Sequence, residues 1–319
     1  MVRTVFLAAA AATLSASPVR AQAWLPAAGQ GAVAVVFQHI AISRHLQADG
    51  TTLHLGEIDS HNMMIDVTYG LSDKVAIGVG APYISTEYTG DQPHPHSQLD
   101  GGYRHGMLQD FRTSVRYSLI TGRTAVTPFA GVIIPSHRYD YYGHAAGGRR
   151  LAELQLGLSA GRVMSSVLPG LFVQGRYSYG FTQRPLGRYH DRSNFDAEIG
   201  YFITSRFRIF GLTTAEYTHG GLPLMQGTAL TSAELLHHDQ ISRTRFIDVG
   251  GGGQFSVTRR LDVFGSFMRT TLGYSAHAID RGISVGVSWG LGKSGPADPL
   301  QERSHHALPK CLCEKGTPP

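Results

Sequence analysis

Four side chains near the end of the sequence could bind a metal ion through nitrogen and sulfur: His305, His306, Cys311 and Cys313. Imidazole and thiolate ligands suit Zn²⁺ and Cu(I), so metal binding is one interpretation of this segment. The other is a reactive or oxidised thiol pair in an unstructured end, because the Pro, Gly and charged residues from Lys293 onward favour disorder. The chain has no other cysteines, so no disulfide framework holds the rest of it together.

A second group of potential ligands is a set of histidines in or beside polar, Gly-rich links between strand-like runs. They are His94, His96, His105, His137, His144, His190, His219, His237, His238 and His277. One interpretation is metal capture by the pair His94 and His96, or by the pair His237 and His238. Neither pair has the i, i+4 spacing of an established helical metal motif. The alternative is that these are polar loop residues, in contact with lipopolysaccharide.

Charged residues also occur on one face of several strand-like runs. They are Asp66, Asp110, Arg112, Arg116, Glu153, Arg176, Asp196, Glu198, Glu216 and Asp248. Ionisable groups at membrane depth must face water or each other. Opposed carboxylates and guanidinium groups could form a constriction that selects a small polar or charged solute. The alternative is a salt-bridged interior that conducts nothing. The set contains seven acids and three arginines, and we expect Asp110, Arg112, Arg116, Glu153, Arg176, Asp196, Glu198 and Asp248 to determine selectivity.

A hydrolase site is the remaining chemical possibility, because His190, Asp191 and Ser193 lie close together in sequence. A nucleophile, a base and an orienting acid need mutual hydrogen-bond reach. These residues instead occur where a Pro- and Gly-containing link enters a strand. We therefore predict that the protein is not an enzyme, and we predict no catalytic residue and no cofactor.

The elements that position these residues are strands. Residues alternate with period two in about twelve runs: 31–45, 60–70, 74–88, 107–119, 124–137, 149–163, 171–183, 193–203, 206–218, 246–257, 260–273 and 281–291. In one of them Val75, Ile77, Val79 and Tyr83 alternate with Gly and Ala. The faces of 124–137 and 260–273 are less regular.

Short and long links alternate strictly between these runs. Two- to six-residue turns, such as Ser72-Asp73, follow every second strand, and longer polar links occur at 46–59, 89–106, 138–148, 184–192, 219–245 and 274–280. An outer-membrane barrel has short periplasmic turns and long extracellular loops. The pattern predicts an all-β fold: a transmembrane antiparallel up-and-down β-barrel of about twelve strands, with both termini periplasmic and the Val75–Tyr83 face towards lipid.

The N-terminus has the three parts of a secretory signal peptide: a charge at Arg3, an apolar run over 5–12 and the sequence Ala21-Gln-Ala23. We predict a signal peptide at 1–23, a barrel at 24–291 and a disordered periplasmic tail at 292–319. The net charge of +5 is spread along the chain without a dense basic run, which argues against nucleic-acid binding.

Four stretches give the chain a resemblance to a known family. They are Trp24-Leu-Pro26 with Gly29 and Gly31, Tyr69-Gly-Leu-Ser-Asp-Lys with Gly78-Val-Gly-Ala-Pro-Tyr83, Ser193-Asn-Phe-Asp-Ala-Glu-Ile-Gly-Tyr201, and Ile283-Ser-Val-Gly-Val-Ser-Trp289. Over roughly 24–291 the chain resembles the outer-membrane proteins of the "MetA pathway of phenol degradation" family. The resemblance implies a barrel that acts as a transporter or channel, and it supplies no catalytic residues.

Together these observations predict a bacterial outer-membrane channel or transporter component, through which a small solute passes passively. The first alternative is a non-conducting surface barrel that binds a metal, a ligand or a partner through its His-rich loops or its tail. The second is an outer-membrane hydrolase. The expected partners are membrane lipid, lipopolysaccharide and a small solute that the residues do not identify.

Overall fold

The computed structural model of the chain describes residues 22–91, 94, 97–225 and 228–292. The described residues form thirteen strands, one α-helix and a single 3-10 turn at Pro185–Gly187. The strands are β1 (Gly31–Leu46), β2 (Thr52–Gly70), β3 (Val75–Gly90), β4 (His105–Leu108), β5 (Phe111–Tyr117), β6 (Thr124–Ile134), β7 (Glu153–Val163), β8 (Leu171–Thr182), β9 (Arg192–Phe202), β10 (Phe207–Thr218), β11 (Arg245–Ser256), β12 (Leu261–Tyr274) and β13 (Ala276–Leu291). The helix α1 spans Ser232–Ile241.

The strands form one closed antiparallel barrel. Neighbours in sequence pair with each other, and β1 pairs with β13 from Gly31–Leu291 to Leu46–Ala276. Both β4 and β5 pair with β3, so they are two parts of one barrel strand that is interrupted at Gln109 and Asp110. The predicted fold of twelve antiparallel strands is therefore confirmed. Closure leaves no sheet edge whose backbone groups would face hydrocarbon unpaired.

The outer surface of the barrel is apolar. Val79 and Tyr83 are 49% and 45% exposed, whereas Ala76 on the other face of β3 is fully buried. Large apolar side chains with the same outward orientation occur around the barrel: Met63, Ile65, Val115, Leu154, Leu156, Leu158, Ile199, Phe267, Val285 and Trp289. A band of this kind on a closed barrel is the lipid-facing surface of an outer-membrane protein. No helix in the described part of the chain is long and apolar enough to span a membrane.

Two predicted long links are shorter than expected. The link at 46–59 reduces to 47–51, and the link at 274–280 reduces to Ser275, which adopts a positive φ of 46°. The outer ends of β1, β2, β12 and β13 are polar and contain histidines. Their sequence therefore predicts a loop, although the strands continue through it. In contrast, the predicted strand 149–163 begins only at Glu153, because the residues before it belong to a long loop that folds inwards.

Candidate functional site

Charged side chains fill the barrel interior near its extracellular end. Arg192 lies between Glu153 and Glu216: its guanidinium contacts the Glu153 carboxylate, and its Nη1 is 3.3 Å from Glu216 Oε2. Arg149 Nη2 is 3.0 Å from Glu216 Oε1. All four side chains are at least nine-tenths buried. Two positive and two negative groups thus compensate each other where water is largely excluded.

The middle of the interior contains a polar cavity of about 170 Å³. Eight charged side chains line its walls: Glu153, Arg192 and Glu216 of the network just described, and Asp66, Arg112, Arg116, Arg176 and Asp196 below them. Asp196 accepts a hydrogen bond of 2.9 Å from Thr214, and the Arg176 guanidinium lies 4.0 Å from the centre of the Phe129 ring. The cavity has room for about six water molecules, at roughly 30 Å³ each.

A third charged group lies towards the periplasmic end. Arg208 Nη1 is 3.1 Å from Glu198 Oε1, and Arg208 Nη2 donates to Gln254 at 2.7 Å. Gln174 donates to the other Glu198 oxygen at 3.0 Å. The rings of Phe172 and Phe202 pack beside the Arg208 guanidinium.

The chain before β1 enters the barrel from this end, and we call residues 22–26 the N-terminal plug. Trp24 is 3% exposed and packs with Ala125, Val163, Phe172 and Phe202. Its indole N–H donates to the Gly122 carbonyl at 2.9 Å.

Polar contacts hold the backbone of the plug as well: the Ala23 N–H donates to Gln174 Oε1 at 3.1 Å, and the Ala23 carbonyl accepts from Thr127 at 2.7 Å. Arg116 donates to the Gln22 carbonyl. The plug therefore closes the periplasmic end below the cavity.

One glycine makes this close approach possible. A Cβ on Gly161 of β7 would lie 2.6 Å from two carbons of the Trp24 ring. Contacts this short exceed what packing tolerates, so a side chain here and the seated indole exclude each other.

The extracellular end is closed by the described residues of loops 91–104, 135–152 and 219–244, which we call the extracellular cover. Ala145 of this cover is fully buried against Ile40, Tyr88 and Ile279 of the barrel wall. The α1 helix starts with a capping box between Thr231 and Glu234, and its last turn is buried. Gln240 of that turn donates to the Arg149 carbonyl at 2.6 Å.

Every proposed selectivity residue lies on the interior face. Arg112, Arg116, Arg176 and Asp196 line the cavity, Glu153 belongs to the extracellular charge network, and Glu198 to the periplasmic one. Asp110 and Asp248 are bound to neighbours instead: Asp110 accepts from the Tyr139 hydroxyl at 2.5 Å, and Asp248 accepts from Thr270 at 2.6 Å. Burial and the Asp110 charge raise the pKa of the Tyr139 hydroxyl, which therefore acts as a donor.

The interior contains more positive charge than the sequence predicts. Arg149, Arg192 and Arg208 also point inwards, which doubles the three arginines expected. The alternation that places Asp196 inside also places Arg192 inside, provided that β9 begins one residue earlier than predicted. Arg208 lies on the same face of β10 as Glu216. Arg149 comes from an inward-folded loop, for which the sequence has no periodic signal.

The structure separates His237 from its sequence neighbour His238 and places His94 beside His238. His94 and His238 are both buried and face each other, whereas His237 stacks against Tyr141 and binds Gln240 at 2.6 Å. His96 lies outside the described residues, as do the proposed tail ligands His305, His306, Cys311 and Cys313.

The hydrolase arrangement does not assemble from its sequence neighbours. His190 is buried and binds the Arg188 carbonyl at 3.0 Å rather than Ser193. Ser193 Oγ lies 2.8 Å from Nε2 of another histidine, His219, on the outer face. Among the described residues, no carboxylate or amide binds the other ring nitrogen of His219, so the pair lacks an orienting partner.

Comparison with solved structures places this architecture. The chain is similar to the COG4313 outer membrane channel from Pseudomonas putida F1, with a TM-score of 0.63 and 10% identity over 87% of this chain and all of that one. The fold is that of an outer-membrane β-barrel. More distant likenesses include the NanC porin (TM-score 0.43, 11% identity, 82% and 99% of the two chains) and the β domain of the Bordetella autotransporter BrkA (TM-score 0.47, 13% identity, 82% and 99%). No protein-family model matches the sequence, and no curated protein matches it. The closed barrel and its apolar outer band place the protein in the outer membrane.

Proposed function

We propose that this protein is a passive outer-membrane channel for a small polar or charged solute, and that the structure represents its closed state. The observation that supports this proposal is a cavity in the middle of the closed barrel, lined by charged side chains and large enough for several water molecules. A barrel that served only as an anchor would gain stability from filling this space with packed side chains. The proposal includes no enzymatic activity and no cofactor.

The finer assignment to the "MetA pathway of phenol degradation" family rests on the sequence motifs, and the similarity to the Pseudomonas putida channel agrees with a barrel of that general kind. We also propose that residues 1–23 are removed, so that the mature chain begins near Trp24. Residues 24–26 are then the plug of the mature protein, held by the packing of Trp24 and its hydrogen bond to Gly122, and the contacts of Gln22 and Ala23 belong to the precursor. Lipopolysaccharide is the proposed neighbour of the extracellular rim, where Arg184 is 55% exposed.

Charge balance at the cavity predicts the selectivity. Arg112, Arg116 and Arg176 contribute three positive charges, against two negative charges from Asp66 and Asp196. The layer above is neutral, because Arg149 and Arg192 balance Glu153 and Glu216. Charged side chains arranged around a narrow lumen select ions by the sign of their charge. We therefore expect a weak preference for anions.

Single-channel recording tests the proposal. The mature protein, reconstituted in a planar bilayer, is expected to show discrete conductance steps with a reversal potential that indicates anion preference. The variant Arg112→Ala with Arg176→Ala removes two of the three positive charges, so the preference should invert in favour of cations.

Arg162→Ala is the matched control, because this arginine lies on the outer face of β7 and is exposed. It should leave the reversal potential unchanged. A silent bilayer, with heat-modifiable gel migration showing that the barrel had folded, and silence also after the plug is deleted, would contradict the channel. That result would favour the non-conducting surface barrel.

A further inference from the structure

Five histidines are buried together in the extracellular cover and the adjacent barrel wall. They are His45, His94, His144, His238 and His277, each at most 3% exposed. Strands β1 and β13, two inward-folded loops and α1 each supply one of them. We infer that this cluster is a binding site for a divalent transition-metal ion of the zinc class, with His94, His238 and Asp239 as its ligands. The inference does not depend on whether the barrel conducts.

The hydrogen bonds of His94 and His238 determine which of their ring nitrogens can bind a metal. His94 Nδ1 lies 2.5 Å from the Asp100 carboxylate, and His238 Nδ1 contacts the Leu235 carbonyl. Both of these oxygens are acceptors, so both Nδ1 atoms must carry the hydrogen. In the neutral rings, each Nε2 is then left with a lone pair.

Those two lone pairs face each other. His94 Nε2 and His238 Nε2 are 3.2 Å apart, with ring planes inclined by 23°. Two acceptors at this distance repel unless a cation lies between them. A metal ion between them would satisfy both atoms; without one, His238 would have to be an imidazolium whose Nε2–H donates to Asp239 Oδ1, 3.1 Å away. The first of these alternatives is the neutral-imidazole arrangement that transition metals bind.

The third ligand, Asp239, approaches His238 at the spacing of two zinc ligands. Asp239 Oδ1 is 3.1 Å from His238 Nε2, and ligand atoms of all three residues lie within 4.8 Å of one another. Two ligand atoms at about 2.0–2.1 Å from a tetrahedral zinc ion are separated by about 3.3 Å. Nitrogen and carboxylate ligands without thiolate favour Zn²⁺ over Cu(I).

Asp100 positions the histidines rather than binding the metal. Its Oδ2 accepts from His94 Nδ1 and, at 3.4 Å, from His144 Nδ1, while its Oδ1 accepts from the His144 backbone N–H at 2.6 Å. A carboxylate that accepts from the far nitrogen of a histidine is the usual outer-shell partner in zinc sites.

The neighbouring imidazoles are a second, independent indication of a ligand. His45, His144 and His277 also bring ring nitrogens within 4.8 Å of one another. Both nitrogens of His45 and Nε2 of His144 are buried with no hydrogen-bond partner among the described residues. His144 Nδ1 faces the Asp100 carboxylate at 3.4 Å, so the lone pair of the neutral ring is on Nε2. Buried polar atoms without a partner indicate an ion or water that would satisfy them.

Metal binding is tested on the full mature chain in detergent, purified by a tag without histidine. The tail ligands are removed first by His305→Ala, His306→Ala, Cys311→Ser and Cys313→Ser. We expect this parent to bind zinc stoichiometrically in titration calorimetry, and cobalt to give the intense visible spectrum of a tetrahedral site. His94→Gln and His238→Gln should weaken zinc binding by at least about 100-fold, and Asp100→Asn by about 10- to 100-fold.

His237→Gln is the matched control, because His237 precedes His238 on α1 but stacks on Tyr141. It should change the zinc affinity by less than threefold. Each variant is used only if heat-modifiable migration shows a folded barrel, and X-ray absorption of the zinc-loaded parent supplies a measurement that needs no variant. The inference is overturned if the parent binds no zinc, if its zinc lacks imidazole scattering, or if folded His238→Gln binds as tightly as the parent.

Discussion

Replacing Trp24 with alanine is expected to raise the labelling rate of a cysteine in the lumen by about 100-fold. The indole fills the periplasmic end of the barrel and donates to the Gly122 carbonyl. Truncation of a buried Trp to Ala costs about 3 kcal/mol, and each 1.4 kcal/mol changes an equilibrium tenfold. The plug should therefore leave its seat about 100 times more often.

The measurement uses Ser178→Cys, a buried position on the cavity wall, in a Cys311→Ser, Cys313→Ser background. A charged, membrane-impermeant thiol reagent then reports access to the cavity. The matched control is Trp289→Ala, which removes the chain's other tryptophan from the outer, half-exposed face of β13. It should leave the labelling rate unchanged.

A second substitution tests the same contact from the barrel wall. Gly161→Ala places a methyl group 2.6 Å from the Trp24 ring and should also unseat it, whereas a methyl group at Gly175 of β8 meets no atom closer than 3.4 Å. In protein with Trp289→Phe, iodide quenching of the remaining Trp24 should rise with Gly161→Ala and stay low with Gly175→Ala. Equal, slow labelling of Ser178→Cys in the Trp24→Ala and parent proteins would show that the plug does not control access.

Replacing Arg192 with leucine is expected to lower the free energy of unfolding by about 3–5 kcal/mol, the cost of removing one partner from a buried ion pair. Arg192 is the bridge between Glu153 and Glu216, and Glu153 is 1% exposed. Without the guanidinium, the buried Glu153 carboxylate loses its ion pair and, among the described residues, keeps the 2.7 Å hydrogen bond from Gln155. Urea unfolding in lipid vesicles, followed by tryptophan fluorescence, measures the loss.

A double-mutant cycle shows whether charge causes this loss. Adding Glu153→Gln to Arg192→Leu removes the uncompensated carboxylate and should restore about 1–3 kcal/mol. Arg162→Leu, an exposed arginine on the outer face of the barrel, should change stability by less than about 1 kcal/mol. If Arg192→Leu lowered the free energy of unfolding by less than Arg162→Leu does, the buried charge network would contribute no net stability.

The strands could be predicted because the barrel imposes one physical rule on each of them. Lipid on one side and water or charge on the other produce a period of two, and this pattern in Val75–Tyr83 or in Ile283–Trp289 is visible in sequence. The same rule places Asp110, Arg112 and Glu153 inside. It fails where strands leave the membrane, as at the outer ends of β1 and β13, because both faces there meet polar surroundings.

The closures could not be predicted, because they depend on tertiary contacts between segments without periodicity. Nothing in the sequence around Trp24 distinguishes a segment inside the barrel from one beside it. The sequence suggests two pairs of neighbouring histidines as metal ligands. In the structure His94 of one pair lies against His238 of the other, 144 residues away along the chain. Sequence neighbours in a loop rarely share a site, since folding decides which side chains converge.

The pairing of the first strand with the last has a consequence for assembly. The seam between β1 and β13 can form only after the whole barrel sequence has been exported, and the plug lies immediately before β1. Trp24 is therefore exported before the strands that supply Ala125, Val163, Phe172 and Phe202, the residues it packs against. Its seat is complete only when these strands have paired, so the periplasmic end is filled after the barrel wall around it has formed.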